Sequence, residues 1–264
     1  MKRIKIATAA CMAWRASLLL AALTVLVLPA RVYAGIVASS TRLIMTQQQP
    51  SLSVILANTN DYPIMVQTWI DDGSPDSTPE KASAPFIPLP AVFRMQPGAV
   101  QGLRVINKQD ERLRALPADR ESVFWLNLYE IPPKNPKILR ADVHVAMAMN
   151  TQMKVFYRPV SLVGAPDNII DKLQFSLIKN GDHYSLRCHN KSAFHASFGQ
   201  MTLVAGGARY PLVQEMDMMT APFSQRDYQI NSPLNVLPVA PISLELVLFD
   251  DDGAARKSIV ALSQ

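Results

Sequence analysis

The sequence predicts an all-β protein built from two immunoglobulin-like β-sandwich domains. Short runs rich in Val, Ile, Leu, Phe and Tyr recur along the chain, separated by Asn, Asp, Gly and Pro, which is the pattern of strands and turns. No stretch combines the apolar spacing and the capping residues of a long helix. A break at residues 164–168 divides the strand pattern into two parts, each with the strand spacing of one sandwich.

The predicted strands follow one another closely in both parts. Each is bounded by turn residues or by proline, as strands of a sandwich are. In the first part they are residues 51–56, 64–70, 92–95, 102–107, 124–129 and a long run over 143–162. In the second part they are residues 173–178, 184–189, 196–204, 209–213, 244–249 and 258–262.

Composition excludes several classes of protein. With 49% hydrophobic and 18% charged residues, the 264-residue chain is too apolar and too weakly charged to be disordered. Its 20 prolines follow no Gly-X-Y period, so it is not collagen-like. Two cysteines are too few for a small disulfide-stapled fold.

The first 34 residues have the three-part pattern of a secretory signal peptide. Residues 1–5 are basic, residues 16–30 are apolar, and Val32 and Ala34 are small enough for the −3 and −1 positions of a cleavage site. A retained membrane anchor is the alternative. No later segment is long and apolar enough to span a membrane as a helix, so we expect no membrane insertion of the mature chain.

Removal of this segment changes the charge of the protein. It carries five of the 26 basic residues and none of the 21 acidic ones, so the chain from Gly35 onward has no net formal charge. A general affinity for nucleic acid or for anionic membranes therefore has no support from overall charge. Cys11 leaves with the segment, so Cys188 has no intrachain disulfide partner.

Motifs of enzymes and cofactor sites are missing from the sequence. It contains no G-x-S-x-G, P-loop, G-x-G-x-x-G or H-E-x-x-H, and we predict a protein that is not an enzyme and binds no cofactor or metal. His183, His189 and His195 lie near Cys188, but scattered histidines and a small buried cysteine explain them better than a metal site. Residues 250–253 lack the spacing of a calcium loop, and we predict a hairpin turn there.

The segment at residues 143–150 alternates regularly. The strand period of two puts Val143, Val145, Met147 and Met149 on one face. An ordinary half-buried core strand explains the pattern by itself. A binding surface is the other interpretation, because the run is longer than one sandwich needs and methionine adapts to variable partners.

Two segments of the chain are the most specific, residues 121–133 and the run Lys154-Val155-Phe156-Tyr157-Arg158-Pro159. With them the chain resembles the PapD-like periplasmic chaperones of the chaperone–usher pilus-assembly pathway, and the run is similar to the family's Lys-Leu-Phe-Tyr-Arg-Pro signature. Residues 40–44, 51–54 and 62–72 resemble the first three strands of the family. Residues 190–192, 221–223 and 249–253 carry a weaker resemblance in the second domain.

This resemblance implies a fold and a function. It implies two sandwiches in an L-shaped arrangement, with residues 1–34 as signal peptide, 35–163 as the N-terminal domain and 164–264 as the C-terminal domain. It implies a periplasmic chaperone that donates its G1 strand to pilus or fimbrial subunits lacking a final strand, and delivers them to an outer-membrane usher. Self-association of free molecules through the G1 strand stays open.

The resemblance also implies roles for single residues. Arg42 and Lys154 match the two cations that hold the subunit's C-terminal carboxylate. The groove-filling residues of the donor strand are matched by Val143, Val145, Met147 and Met149. An interdomain charge cluster is matched by Glu121, Arg158 and Asp251.

The sequence also bears on the subtype and on two alternative functions. Because there are no cysteines around residues 134–142, where long-loop members have a disulfide, we favour the short-loop type although this segment is somewhat long. A structural pilus subunit or adhesin would need an N-terminal donor extension and an incomplete domain. An exported β-sandwich hydrolase would need a nucleophile and a base in a recognisable motif.

Overall fold

The computed structural model describes residues 35–74, 77–133, 148–162, 166, 168–181, 183–231 and 241–262. The first half of this part of the chain is almost entirely strand. Its strands are β1 (Ile36–Ala38), β2 (Arg42–Thr46), β3 (Ser51–Asn58), β4 (Ile64–Asp71), β5 (Phe86–Leu89), β6 (Val92–Met95), β7 (Val100–Asn107), β8 (Ser122–Ile131) and β9 (Met149–Arg158).

These strands form the two sheets of one sandwich. One sheet has the order β1-β3-β7-β5, and the other has the order β2-β9-β8-β4-β6. The alternating residues of each strand meet between the sheets, where Leu56, Leu103 and Leu126 are fully buried. The edge of the Phe86 ring lies against Phe124 at a centroid distance of 5.1 Å. This apolar layer holds the two sheets together.

The second half forms another sandwich with its own core. Its strands are β10 (Leu173–Asn180), β11 (His183–Asn190), β12 (Ala196–Ala205), β13 (Ala208–Pro211), β14 (Met219–Thr220), β15 (Ser224–Gln229), β16 (Ile242–Phe249) and β17 (Ala255–Leu262). One sheet is β10-β11-β15, and the other is β13-β12-β16-β17 with β14 paired to β12. Leu186, Leu203, Leu244 and Tyr228 lie fully buried between them. The predicted fold class of two β-sandwiches is confirmed.

The sequence prediction missed four strands, namely the short strands β1 and β14 and the edge strands β5 and β15. Strand β5 contains Pro88, a residue that sheets tolerate at their edges. Strand β15 is mostly polar, and Tyr228 is its one buried residue. Neither strand shows the apolar alternation of a strand whose whole inner face is buried.

The helical elements are short. Helix α1 (Glu111–Arg114) begins at Asp110, whose carboxylate accepts a hydrogen bond from the Leu113 amide at 3.1 Å. A 3-10 helix (Ile169–Lys172) follows the predicted break between the domains. None of the helices found in the described ranges is long and apolar enough to cross a membrane.

Candidate functional site

Strands β2 and β9 run parallel, in a register that puts Arg42 beside Lys154. The next pair, Leu43 and Val155, is buried in the core. Since successive side chains of a strand point to opposite faces, Arg42 and Lys154 project together from the outer face of the sheet. The register of β2 and β9 therefore sets two cations side by side.

Arg42 lies on the side of this sheet that meets the second domain. Its guanidinium carbon is 5.9 Å from the ring centre of Phe156 and 5.5 Å from that of Phe249, and its Nη1 donates a weak hydrogen bond of 3.4 Å to the Phe249 carbonyl. Its Nε is buried and has no hydrogen-bond partner in the described part of the chain. Burial lowers the pKa of Arg42, and the nearby carboxylates, with Asp251 first, offset part of this effect. This guanidinium keeps unused donors that favour an anion.

Lys154 has a partner that the sequence did not reveal. Its Nζ donates a hydrogen bond of 2.7 Å to Oδ1 of Asp217, on the segment between β13 and β14. The Lys154 side chain is 23% exposed and that of Asp217 is 37% exposed. The charge of Lys154 is thus already neutralised by a carboxylate of the second domain.

Arg158, at the end of β9, joins the two domains. Its Nε donates to Glu121 at 2.8 Å, and its two terminal nitrogens donate to the two carboxylate oxygens of Asp251 at 2.7 and 2.6 Å. The guanidinium also lies 5.0 Å from the ring centre of Phe194. Burial works to lower the pKa of Arg158, but the hydrogen bonds to Asp251 and the charge of Glu121 outweigh it and the pKa is raised. The second of three adjacent aspartates is therefore the one that contacts Arg158.

The remaining oxygen of Glu121 binds His195, which the sequence analysis had interpreted only as a scattered histidine. It accepts hydrogen bonds from the His195 backbone amide at 2.9 Å and contacts Nδ1 of the same residue at 2.8 Å. The amide of Glu121 donates to the carbonyl of Ala193 at 2.9 Å. His195 thus belongs to the charge cluster. In the sequence His195 stands directly before the predicted strand at residues 196–204. Nothing in that position indicates a partner 74 residues away.

A cleft of about 800 Å³ opens beside this cluster. Among the residues that the structure describes, Arg42 lines it and Lys154 does not. Ser197 also lines the cleft, and its buried hydroxyl has no partner within the described ranges. Acidic and basic groups from both sandwiches meet at this cleft, which could accept a polar chain end.

Met149 is the one predicted donor-strand residue inside the described part of the chain; Val143, Val145 and Met147 lie outside it. Met149 pairs with Glu130 at the start of β9, and 50% of its surface is exposed. Met153 and Val155, two and three strand periods further along β9, are buried. The apolar face of β9 therefore extends beyond the core at Met149.

The other candidates from the sequence have structural explanations. Residues 250–253 form the turn between β16 and β17, as predicted, with the Gly253 amide donating to the Asp250 carbonyl at 3.0 Å. Cys188 is buried, which raises its thiol pKa to about 11, while a hydrogen bond involving Thr220 acts in the opposite direction. In the described ranges no group of three or more His, Cys, Asp or Glu side chains could hold a metal ion.

Comparisons with known proteins define the class. Residues 35–163 match the sequence model of the pili and flagellar-assembly chaperone PapD N-terminal domain, and residues 168–259 match that of the pili assembly chaperone PapD C-terminal domain. The chain is 34% identical to the probable fimbrial chaperone YadV of Escherichia coli over 75% of its own length and 78% of that protein. It is 32% identical to the chaperone protein FimB/FhaD of Bordetella pertussis over the same shares.

The fold agrees with the same class. A crystal structure of the YadV chaperone superimposes with a TM-score of 0.71 and 31% identity, covering 87% of this chain and all of that one. The two sandwiches and the matched domains define a chaperone and not an enzyme. The chain belongs to the PapD-like family of pilus-assembly chaperones.

Proposed function

We propose that the protein binds pilus subunits in the bacterial periplasm by donating a strand, and delivers them to an outer-membrane usher. Residues 1–34 would direct export, and residues 35–163 and 164–264 would form the two working domains. Membership of a pilus-assembly chaperone family supports this proposal. The physical need is clear, because a subunit lacking a strand exposes an apolar groove and open sheet edges that promote aggregation.

The observation that carries the proposal is the pairing of Arg42 with Lys154 on parallel strands. Two cations on one face suit a carboxylate, which can accept hydrogen bonds from both. In our proposal they bind the C-terminal carboxylate of the subunit. Fixing that chain end sets the register in which the subunit's last strand lies along β9.

The donor row supplies the second half of the interaction. We assign Val143, Val145, Met147 and Met149 to the subunit's groove, in line with the half-exposed side chain of Met149. Added strand pairing satisfies backbone groups of the subunit, and alternate side chains fill its groove. The flexible thioethers of the two methionines suit a groove whose shape varies between subunits.

We assign the cluster of Glu121, Arg158 and Asp251 to holding the two domains in a fixed relation. Arg158 is almost completely buried and donates hydrogen bonds to the carboxylates of both Glu121 and Asp251. Rotation of one domain would therefore leave a buried charge without its partner. A fixed relation between the domains keeps Arg42 and Phe249 in contact.

The experiment is capture of the tagged protein from periplasmic extract, followed by mass spectrometry of the bound chains. Recovery of small β-rich subunits by the parent, with loss of recovery for Lys154→Ala, is the expected result. A pilin or hydrolase would not recover subunits in a way that depends on Lys154. Equal recovery by parent and variant would contradict the anchoring role.

A further inference from the structure

The ion pair between Lys154 and Asp217 has no role in the proposed function. It joins one of the two proposed anchors to a carboxylate of the other domain at 2.7 Å. Arg42, the other anchor, has no carboxylate at hydrogen-bond distance and keeps a buried Nε without a partner in the described ranges. Before any subunit binds, Lys154 is thus paired with a carboxylate, whereas Arg42 keeps unused hydrogen-bond donors.

Asp217 is held in position from its own domain as well. Its Oδ2 lies 3.7 Å from Nη1 of Arg226 on β15, and Nη2 of the same guanidinium donates to Glu215 at 2.6 Å. Arg226 also donates to the Met219 carbonyl at 2.8 Å, which ties down the segment between β13 and β14. Asp217 therefore keeps a cationic neighbour when Lys154 is withdrawn from it.

We propose that Asp217 is an internal competitor for the subunit's C-terminal carboxylate: it occupies Lys154 in the free chaperone and is displaced when the subunit binds. This inference rests on the proposed function. The ammonium group of Lys154 has three donors, but a C-terminal carboxylate bound to it would lie beside the carboxylate of Asp217. Repulsion between these two like charges opposes their binding to Lys154 at the same time.

The exchange has a consequence for selectivity. The incoming carboxylate gains the free donors of Arg42 together with Lys154, whereas a carboxylate that reaches Lys154 without Arg42 only replaces the bond to Asp217. Asp217 thereby lowers the affinity of the site for side-chain carboxylates and for misregistered chains. It makes binding depend on simultaneous contact with both cations.

The test measures binding of a short synthetic peptide that alternates Val and Thr, prepared with a free C-terminal carboxylate and as the C-terminal amide. We expect Asp217→Asn to bind the carboxylate peptide about two- to fivefold more tightly than the parent, the range of a partly exposed ion pair. Affinity for the amide should stay unchanged. In the Lys154→Ala background, Asp217→Asn should give no gain.

Glu215→Gln is the matched control, because it removes the same charge from the same segment without touching Lys154. An equal gain in Glu215→Gln would mean a general charge effect and would overturn the inference. The inference would also be overturned if Asp217→Asn bound the carboxylate peptide no more tightly than the parent, in a case where the parent prefers the carboxylate peptide over the amide peptide. A parent that binds both peptides equally, or neither, would instead contradict the proposed carboxylate anchoring itself.

Discussion

Met149 and Met153 lie on the same face of β9, two strand periods apart on either side of Thr151, yet 50% of Met149 is exposed and only 3% of Met153. The same apolar row thus leaves the sandwich core between these two residues. Here the apolar pattern continues in the sequence through Met147, Val145 and Val143, as expected of a row that packs into another molecule.

The two methionines give a matched pair of substitutions. We expect Met149→Glu to leave the midpoint of thermal unfolding nearly unchanged, because the new carboxylate can reach water. Met153→Glu should unfold the domain, because it buries an unpaired charge. Recovery of soluble subunits should be lost in Met149→Glu. A large fall in the melting temperature of this variant would instead show that Met149 belongs to the core.

The dilution of the sample matters in that comparison. If free molecules pair through the donor row, the parent's stability will rise with concentration. Melting curves at several concentrations separate this effect from the folding of the domain itself. The two variants are therefore compared at dilutions where parent and variant are both monomeric.

The proposed anchoring by Arg42 and Lys154 predicts a loss of binding without a loss of fold. Truncating one partner of a hydrogen-bonded charge pair costs about 2–5 kcal/mol, so Arg42→Ala or Lys154→Ala should weaken subunit binding roughly thirtyfold or more. Titration calorimetry or co-purification measures this. Arg104→Ala is the control, because that exposed arginine contacts Ser51 on the other sheet. This variant should bind subunits as tightly as the parent does.

The buried charge cluster predicts a large effect on stability. Arg158→Ala leaves Glu121, whose side chain is 2% exposed, without its cation, and should cost about 3–5 kcal/mol in urea unfolding. Arg209→Ala breaks the exposed pair with Glu245 and should cost less than about 1 kcal/mol. Equal losses in the two variants would show that burial does not govern the Arg158 contacts.

The buried thiol predicts slow alkylation. Because burial raises the pKa of Cys188 to about 11, the thiolate fraction at pH 8 is on the order of one in a thousand, and access is blocked as well. Iodoacetamide at pH 8 should label the folded protein very slowly and the urea-unfolded protein rapidly. Mass spectrometry follows the reaction, and fast labelling without urea would contradict the buried site.

The proposed signal peptide at residues 1–34 predicts where the exported protein would start. We expect N-terminal sequencing of the periplasmic protein to begin near Gly35. The Gly35 carbonyl accepts hydrogen bonds from the amide and hydroxyl of Thr59 at 3.0 and 2.6 Å, so the fold engages the chain from this residue onward. Sequencing that returned Met1 would contradict cleavage.

Much of the molecule could be predicted from local sequence. The strands at residues 51–58 and 64–71 alternate or concentrate apolar residues between turn signals, and the structure has them within two residues of the predicted bounds. The proximity of Arg42 and Lys154 was inferred from a family signature, since the residues lie far apart in sequence. The motifs that carried the family resemblance also led to the matched family.

What the sequence by itself determined was the class of fold, the family and the residue types of the site, because periodicity and motifs are properties of neighbouring residues. Tertiary structure alone decided that Lys154 pairs with Asp217 and that His195 joins Glu121, contacts that span 63 and 74 residues. It also decided that polar or proline-containing segments would complete the edges of the sheets at β5 and β15. The reason is that such contacts depend on where folding brings distant strands together, and a polar side chain carries no local sign of the partner it will meet.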